Sequence, residues 1–264
     1  MISFLHRIYS SIDSSHRTLI VGDVHGCIDE LNELISKALP NYDQSTDMIL
    51  FVGDLVGKGP SSLEVVDRVR QLGGHSVLGN HDQYLLKCAE QQGRLDELKI
   101  LKPDNPIDYS YLACLPAFKE PSLSDSEHHA LASEASLDQL EFLSTLPLTI
   151  TIPFYDIVIV HAGLRPQISS LNDQNPFDLL KMRDILDDGS TSEKRGVGQP
   201  WASKWSGKEF VVFGHDAARN LQVFDHALGL DTACCYGKEL TGYLLPDKKI
   251  ISVKAKRIYS KPEN

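Results

Sequence analysis

The chain has 264 residues, 42% of them apolar and 23% charged, which is enough to bury a substantial core, and no Pro/Gly/Ser-rich linker or internal repeat divides it. A formal charge of −10 excludes a protein that coats duplex nucleic acid, yet permits an anionic substrate wherever bound cations reverse the local field. No apolar run is long enough to span a bilayer, and five cysteines without a C-x-x-C pair read as reduced thiols, so a cytoplasmic location is expected.

The start, MISFLHRIYSSIDSSHR, lacks the apolar block of a secretory signal and reads as a flexible lead-in over residues 1–17. Its basic, serine-rich character keeps organelle targeting as the alternative. From Thr18 a repeated device begins: a short apolar, β-branched run that stops at a small residue or directly at a polar, metal-capable one. The five instances are TLIVGDVHG at Thr18, MILFVGDLVG at Met48, HSVLGNHD at His75, DIVIVHAG at Asp156 and FVVFGHD at Phe210. Apolar runs this short predict strands buried on both faces.

Between them lie helical patterns. Ile28 to Leu39 stops at Pro40, Ser61 to Leu72 starts after Pro60 and ends at Gly73-Gly74, and Asp82 to Gln92 stops at Gly93. Residues 95–146 are rich in charge and leucine without strand runs, which predicts a helical insertion or cap. TGYLLPDKKIISVKA predicts a hairpin. The expectation is one α/β domain over residues 1–264, with an antiparallel edge to its sheet.

In α/β sheets ligands bind beyond the carboxyl ends of the strands. That is where the five runs deliver Asp23, His25, Asp54, Asn80, His81, His161 and His215. Carboxylates, an amide oxygen and imidazoles form a mixed oxygen–nitrogen donor set suited to Mn, Fe, Zn or Mg. A glycine precedes the ligand in four of the motifs (Gly22, Gly53, Gly79, Gly214) and lets the backbone approach closely. GDLVGKGP is not a phosphate-cradling P-loop: three residues rather than four separate Gly53 from Gly57, and Gly59 stands where a hydroxyl is needed.

In order, GDVHG, GDLVGKG, GNHD, HAGL and GHD resemble the phosphoprotein-phosphatase type of metallophosphoesterase, over nearly all of residues 18–242. Within that superfamily the chain resembles the ApaH-like branch, which includes symmetrical diadenosine tetraphosphatases, through GNHD, the proline after GKG, HAGLRP and GLDTACCYGKELTG. The resemblance implies a calcineurin-like fold, a central β-sandwich of mixed sheets flanked by helices. It implies two divalent cations (Mn, Zn, Fe, Co or Mg), with Asp23 and His25 on the first, Asn80, His161 and His215 on the second, and Asp54 bridging. The reaction implied is hydrolysis of a phosphoanhydride by hydroxide that the two ions share. The substrate would be a dinucleoside polyphosphate, inorganic polyphosphate or capped RNA.

His81 is then placed to protonate the leaving oxygen, and Asp82 either orients His81 or serves as the acid at a helix N-terminus. Lys58, then Arg183 in KMRD and Lys204 in PWASKW, are the candidate cations for the phosphoryl oxygens, with Tyr236 a further candidate near the substrate. Protein phosphatases usually read GDYVDRG where this chain has GDLVGKG, so Gly57 replaces a carboxylate that supports the catalytic histidine. That loss favours a phosphate leaving group over a serine alkoxide. A protein serine/threonine phosphatase and a catalytically silent scaffold are the alternatives. His128 and His129 read as surface residues, His226 as no ligand, Trp201 and Trp205 as packing, and Cys27 as a small buried residue.

Overall fold

Residues 5–101 and 126–261 are described by the computed structural model. The predicted strands β2 (Arg17–Val21), β3 (Asp47–Phe51) and β4 (His75–Ser76) run parallel, joined by α1 (Ile28–Ala38) and α2 (Ser62–Gln71). The hairpin of β13 (Glu239–Leu245) and β14 (Lys249–Lys254) adds to β2 in antiparallel fashion, giving a five-stranded sheet in the order β14-β13-β2-β3-β4.

A second sheet of six strands runs β1-β5-β6-β10-β12-β11. It is built from β1 (His6–Ile8), β5 (Thr149–Ile152), β6 (Ile157–Val160), β10 (Phe210–Phe213), β11 (Gln222–Val223) and β12 (Ala227–Gly229). Three short strands, β7 (Asp184–Ile185), β8 (Thr191–Ser192) and β9 (Gln199–Pro200), form a small third sheet in the order β8-β7-β9 after α7 (Pro176–Lys181).

The two large sheets stack because successive side chains of a strand point to opposite faces. Ile20 and Leu50 turn inward to meet Ile150, Ile159, Val212 and Leu228 of the other sheet in one apolar layer. Their neighbours Leu19, Val21, Ile49 and Phe51 turn outward, onto Leu31 and Leu34 of α1 and Val65, Val66 and Val69 of α2. Both faces are therefore dry, which is why these runs are apolar throughout. Each such side chain contributes about 1.5–3 kcal/mol relative to exposure.

Two details differ from the sequence-based expectation. The lead-in over 1–17 is not a free segment where it is described: β1 pairs in parallel with β5, Ile12 is buried, and Arg17 makes a two-point ion pair with Asp47 at 2.8 and 2.6 Å. Edge pairing needs only backbone, so a serine-rich composition concealed it. The third helix, α3 (Asn80–Gln91), begins two residues earlier than its apolar pattern, so Asn80 and His81 open its first turn. The stretch 95–146, read as a helical insertion, holds α4 (Arg94–Leu101), α5 (Ser126–Glu134) and α6 (Leu137–Ser144) among its described residues, while 102–125 lie outside them. Both α5 and α6 pack on α3.

Candidate active site

The five predicted strand ends converge on one edge of the sandwich. Their loops turn sharply, and several side chains stand in the left-handed region: His25 at φ 47°, Asp54 at 51°, Lys58 at 68° and His215 at 70°. Non-glycine residues there cost on the order of 1–3 kcal/mol each, a strain that clusters at functional sites. Gly79 shows how close the loops come, since a Cβ at that position would overlap the Asp54 backbone nitrogen and Oδ1.

Asp54 is the hub. His25 Nε2 lies 3.4 Å from its Oδ2, and His161 Nε2 lies 3.5 Å from its Oδ1. Asn80 Oδ1 is 3.0 Å from His161 Nε2. Donor atoms of Asp23, Asp54 and His161 lie within 4.8 Å of one another, as do those of His25, Asp54 and His81, so two donor groups share one carboxylate. The Asp23 carboxylate accepts the backbone N–H of His215 at 3.1 and 3.2 Å, and the rings of His161 and His215 stand 5.0 Å apart.

Backbone carbonyls set the imidazole tautomers. His25 Nδ1–H donates to Val56 O at 3.1 Å and His161 Nδ1–H to Val52 O at 2.8 Å, leaving each Nε2 lone pair for the site. His215 Nε2–H donates to Lys181 O at 3.1 Å, leaving its Nδ1. A carbonyl behind each ring is the usual way that a protein orients a metal-ligating histidine.

The electrostatics point the same way. Burial pushes the Asp54 and Asp231 carboxyls up to about 6, and holds Asp23 well above the ordinary range. Burial also lowers the His161 imidazole to about 4, and those of His25 and His215 well below their usual value. Neutral imidazoles are the ligating form. Three acids buried close together repel one another, and cations of higher charge relieve that. The donor set therefore fits hard to borderline divalent ions.

A family model for calcineurin-like phosphoesterases matches residues 16–228. The chain belongs to that family. Among relatives, it is 27% identical to the bis(5'-nucleosyl)-tetraphosphatase PrpE [asymmetrical] of Oceanobacillus iheyensis, covering 90% of this chain and 92% of the relative. It is 30% identical to the symmetrical bis(5'-nucleosyl)-tetraphosphatase of Coxiella burnetii strain CbuK_Q154, covering 89% and 91%. A crystal structure described as "a putative diadenosine tetraphosphatase" superposes with a TM-score of 0.75 at 35% identity, over 95% of this chain and 97% of that one. Membership implies a dinuclear divalent metal site and makes the chain a hydrolase, as the ordered motifs lead one to expect.

In this calcineurin-like phosphoesterase the predicted cations take different positions. Lys58 reaches in: its Nζ lies 3.3 Å from His25 Nε2 and 5.3 Å from the centroid of the Tyr236 ring. Burial opposes its charge, but the Asp54 carboxylate more than compensates and lifts it above the ordinary lysine range. Arg183 stands behind His215, donating to His215 O at 3.2 Å and Glu193 O at 2.9 Å. Lys204 is exposed, and no hydrogen bond or ion pair ties it to the site among the described residues. Trp201 and Trp205 pack edge to face, 6.4 Å apart, and Trp201 covers Phe213, so both belong to the core. Cys27 is buried, with Cys234 and Glu30 beside it.

Of its two readings, Asp82 does not fit a partner of the His81 ring but an acid at the start of its helix. The Asp82 carboxylate is fully buried and accepts three backbone N–H groups, from Gly79 at 2.9 Å, Leu55 at 3.0 Å and Val56 at 3.3 Å. It fastens the start of α3 to the Asp54 loop. Burial and the nearby Asp54 push it up to about 7. Nor is His128 a surface residue: it is only 8% exposed and touches His81.

Asp231 escaped the sequence reading as well. It follows β12 as the other acids follow their strands, is 4% exposed, and raises the Asp23 carboxyl through its charge. The run ALGLD carried the same signal in weaker form, with a glycine inside the strand.

Proposed function

We propose that this hydrolase cleaves phosphoanhydride bonds of dinucleoside polyphosphates, working as a single domain in a reducing, cytoplasmic compartment. The observation that carries the catalytic part is Asp54, set between His25 on one carboxylate oxygen and His161 on the other in a buried acidic cluster. Asp23 and His25 would hold one cation, Asn80, His161 and His215 the second, and Asp54 both. Two such cations, when bound, acidify water and neutralise phosphoryl charge.

The remaining work falls to side chains of the chain itself. The Lys58 ammonium, half-buried beside Asp54, is a fixed positive charge for a phosphoryl oxygen, and the Tyr236 ring beneath it limits where it can swing. Arg183, tied to the His215 loop, is a second cation at the far side. The His81 backbone N–H donates to Asp54 Oδ1 at 2.9 Å, which seats the imidazole at the edge of the cluster to hand a proton to the leaving oxygen. A phosphate leaving group needs less of that help than an alkoxide. Gly57, with no carboxylate to strengthen His81, supports the anhydride reading, as do the names of the relatives. The four cysteines among the described residues, Cys27, Cys88, Cys234 and Cys235, are buried free thiols and support the reducing compartment, while Cys114 lies outside the described residues.

The test is a substrate panel of diadenosine tetraphosphate, inorganic polyphosphate, capped RNA and a phosphopeptide, run with Mn, Zn, Co, Fe and Mg in turn. Diadenosine tetraphosphate is expected to turn over fastest. Two ADP as product would mean symmetrical cleavage, and ATP with AMP asymmetrical cleavage. Preferred hydrolysis of the phosphopeptide would overturn the reading.

A further inference from the structure

Helix α5 brings a second histidine to the catalytic one. His128 Nε2 lies 3.1 Å from His81 Nδ1, with the rings 5.1 Å apart and inclined by 34°. The Tyr84 ring flanks His128 at 5.6 Å. One residue earlier, Glu127 Oε1 accepts the backbone N–H of Lys58 at 2.6 Å. Two consecutive residues of the insertion thus fasten to the two catalytic segments, one to the head of α3 and one to the Asp54 loop.

Gly57 makes room for this. Its φ is +84°, and a Cβ there would come within 2.9 Å of His81 Nδ1 and 3.1 Å of His128 Nε2. A side chain at position 57 and the imidazole of His128 would therefore compete for one place beside one nitrogen.

We infer that His128 is a positioning residue for the reaction, gripping His81 through Nδ1 from the helical insertion in place of a side chain at position 57. This rests on the reading of His81 as the proton donor. With Nδ1 engaged, Nε2 is the nitrogen left for the leaving oxygen. An imidazole can donate or accept where a carboxylate only accepts. His128 Nε2 can accept the Nδ1–H of a protonated His81, which aims the second N–H, on Nε2, at the leaving oxygen. Passing that proton to the leaving oxygen leaves a neutral His81, and the proton released by the attacking water restores it. A neutral partner fixes the ring without adding negative charge, and that suits a leaving group needing orientation more than acid strength.

The experiment compares wild type, His81→Ala, His128→Ala, His128→Gln and the double alanine variant on diadenosine tetraphosphate in metal-loaded protein, with thermal melting of each. Loss of a positioned proton donor costs about 100-fold or more, so His128→Ala should lower kcat by about tenfold or more with KM within about twofold. The double variant should be no slower than His81→Ala alone, because His128 acts through His81. Glutamine, whose amide reaches the place of Nε2, should recover most of the loss and keeps the test decisive if the alanine variant melts early. Imidazole nitrogen NMR of the metal-free protein should show one fixed His81 tautomer that is lost in His128→Ala.

Wild-type kcat in His128→Ala, or an equal loss on the His81→Ala background, would overturn the inference. If His81→Ala itself turned over normally, the reading of His81 as donor would fail instead.

Discussion

Two regions meet at His81, the strand-end loops and the inserted helix α5, and they are built differently. The loops hold their side chains by strain and enclosure: His25, Asp54 and His215 stand at positive φ on short turns after strands that are buried on both faces. Each ring is braced by a carbonyl within its own neighbourhood. Helix α5 holds His128 by docking onto α3, with polar contacts from Glu127 and His128 to the site. On the proposed reading the rigid region sets charge and donor positions, and the docked region sets the orientation of one proton carrier. Damage to the first should abolish chemistry, and damage to the second should only degrade it.

The largest effect is expected at the hub. Asp54→Asn keeps the shape but removes the shared charge, and turnover should fall by about 100- to 1,000-fold or more. Metal analysis of the purified variant should show fewer ions bound than wild type, and unchanged metal content would place the shared carboxylate elsewhere. Chelation of wild-type protein should give a comparable loss, reversed by adding back a divalent cation.

His81→Ala comes next, at about 100-fold or more on diadenosine tetraphosphate. On aryl phosphates the loss should shrink as the leaving phenol becomes more acidic. A loss independent of the phenol would remove His81 from the proton-transfer role. A steeper dependence in His128→Ala than in wild type would tie the docked region to the same proton.

A smaller effect is expected at the small sheet, where Arg219 bridges Asp184 and Asp216 at 2.6 Å each. Burial alone would raise the Asp184 carboxyl, but the hydrogen bonds from Arg219 and from the Val197 and Gly198 N–H groups outweigh it and leave it below the ordinary range. A carboxyl depressed in the folded state contributes stability above its unfolded pKa of about 3.9. That contribution is lost as the pH falls through the lower folded value. Arg219→Ala should therefore destabilise the fold at neutral pH by about 1–3 kcal/mol in denaturant titrations. The gap to wild type should narrow below about pH 4. A gap constant down to pH 2 would mean that the ion pair is not its source. The smallest change is expected for Lys204→Ala, with kcat/KM within about twofold of wild type, since surface cations contribute little. A larger drop would bring Lys204 into the site.

Much of the rigid region was legible from residue order. Asp23, His25, Asp54, Asn80, His161 and His215 each end a short apolar run, and both the run and its abrupt end are local patterns of alternation and polarity. Asp82 kept two roles in sequence because its type and place fit both, and only the backbone N–H groups around it decide that it fastens the Asp54 loop. Asp231 was passed over because its strand is short and ends at Gly229.

Sequence alone thus determined the family, the sheet-bearing runs and the residues that the strand ends bring together, since these depend on periodicity and on residue type at strand ends. Gly57 is the turning point. In sequence it is a missing carboxylate, and only in three dimensions is it the space that His128 enters. His128 and His81 are 47 residues apart, and nothing in the composition of an acidic, helix-forming stretch pairs them. That pairing arises from how α5 docks on α3, a long-range packing choice that no local pattern encodes.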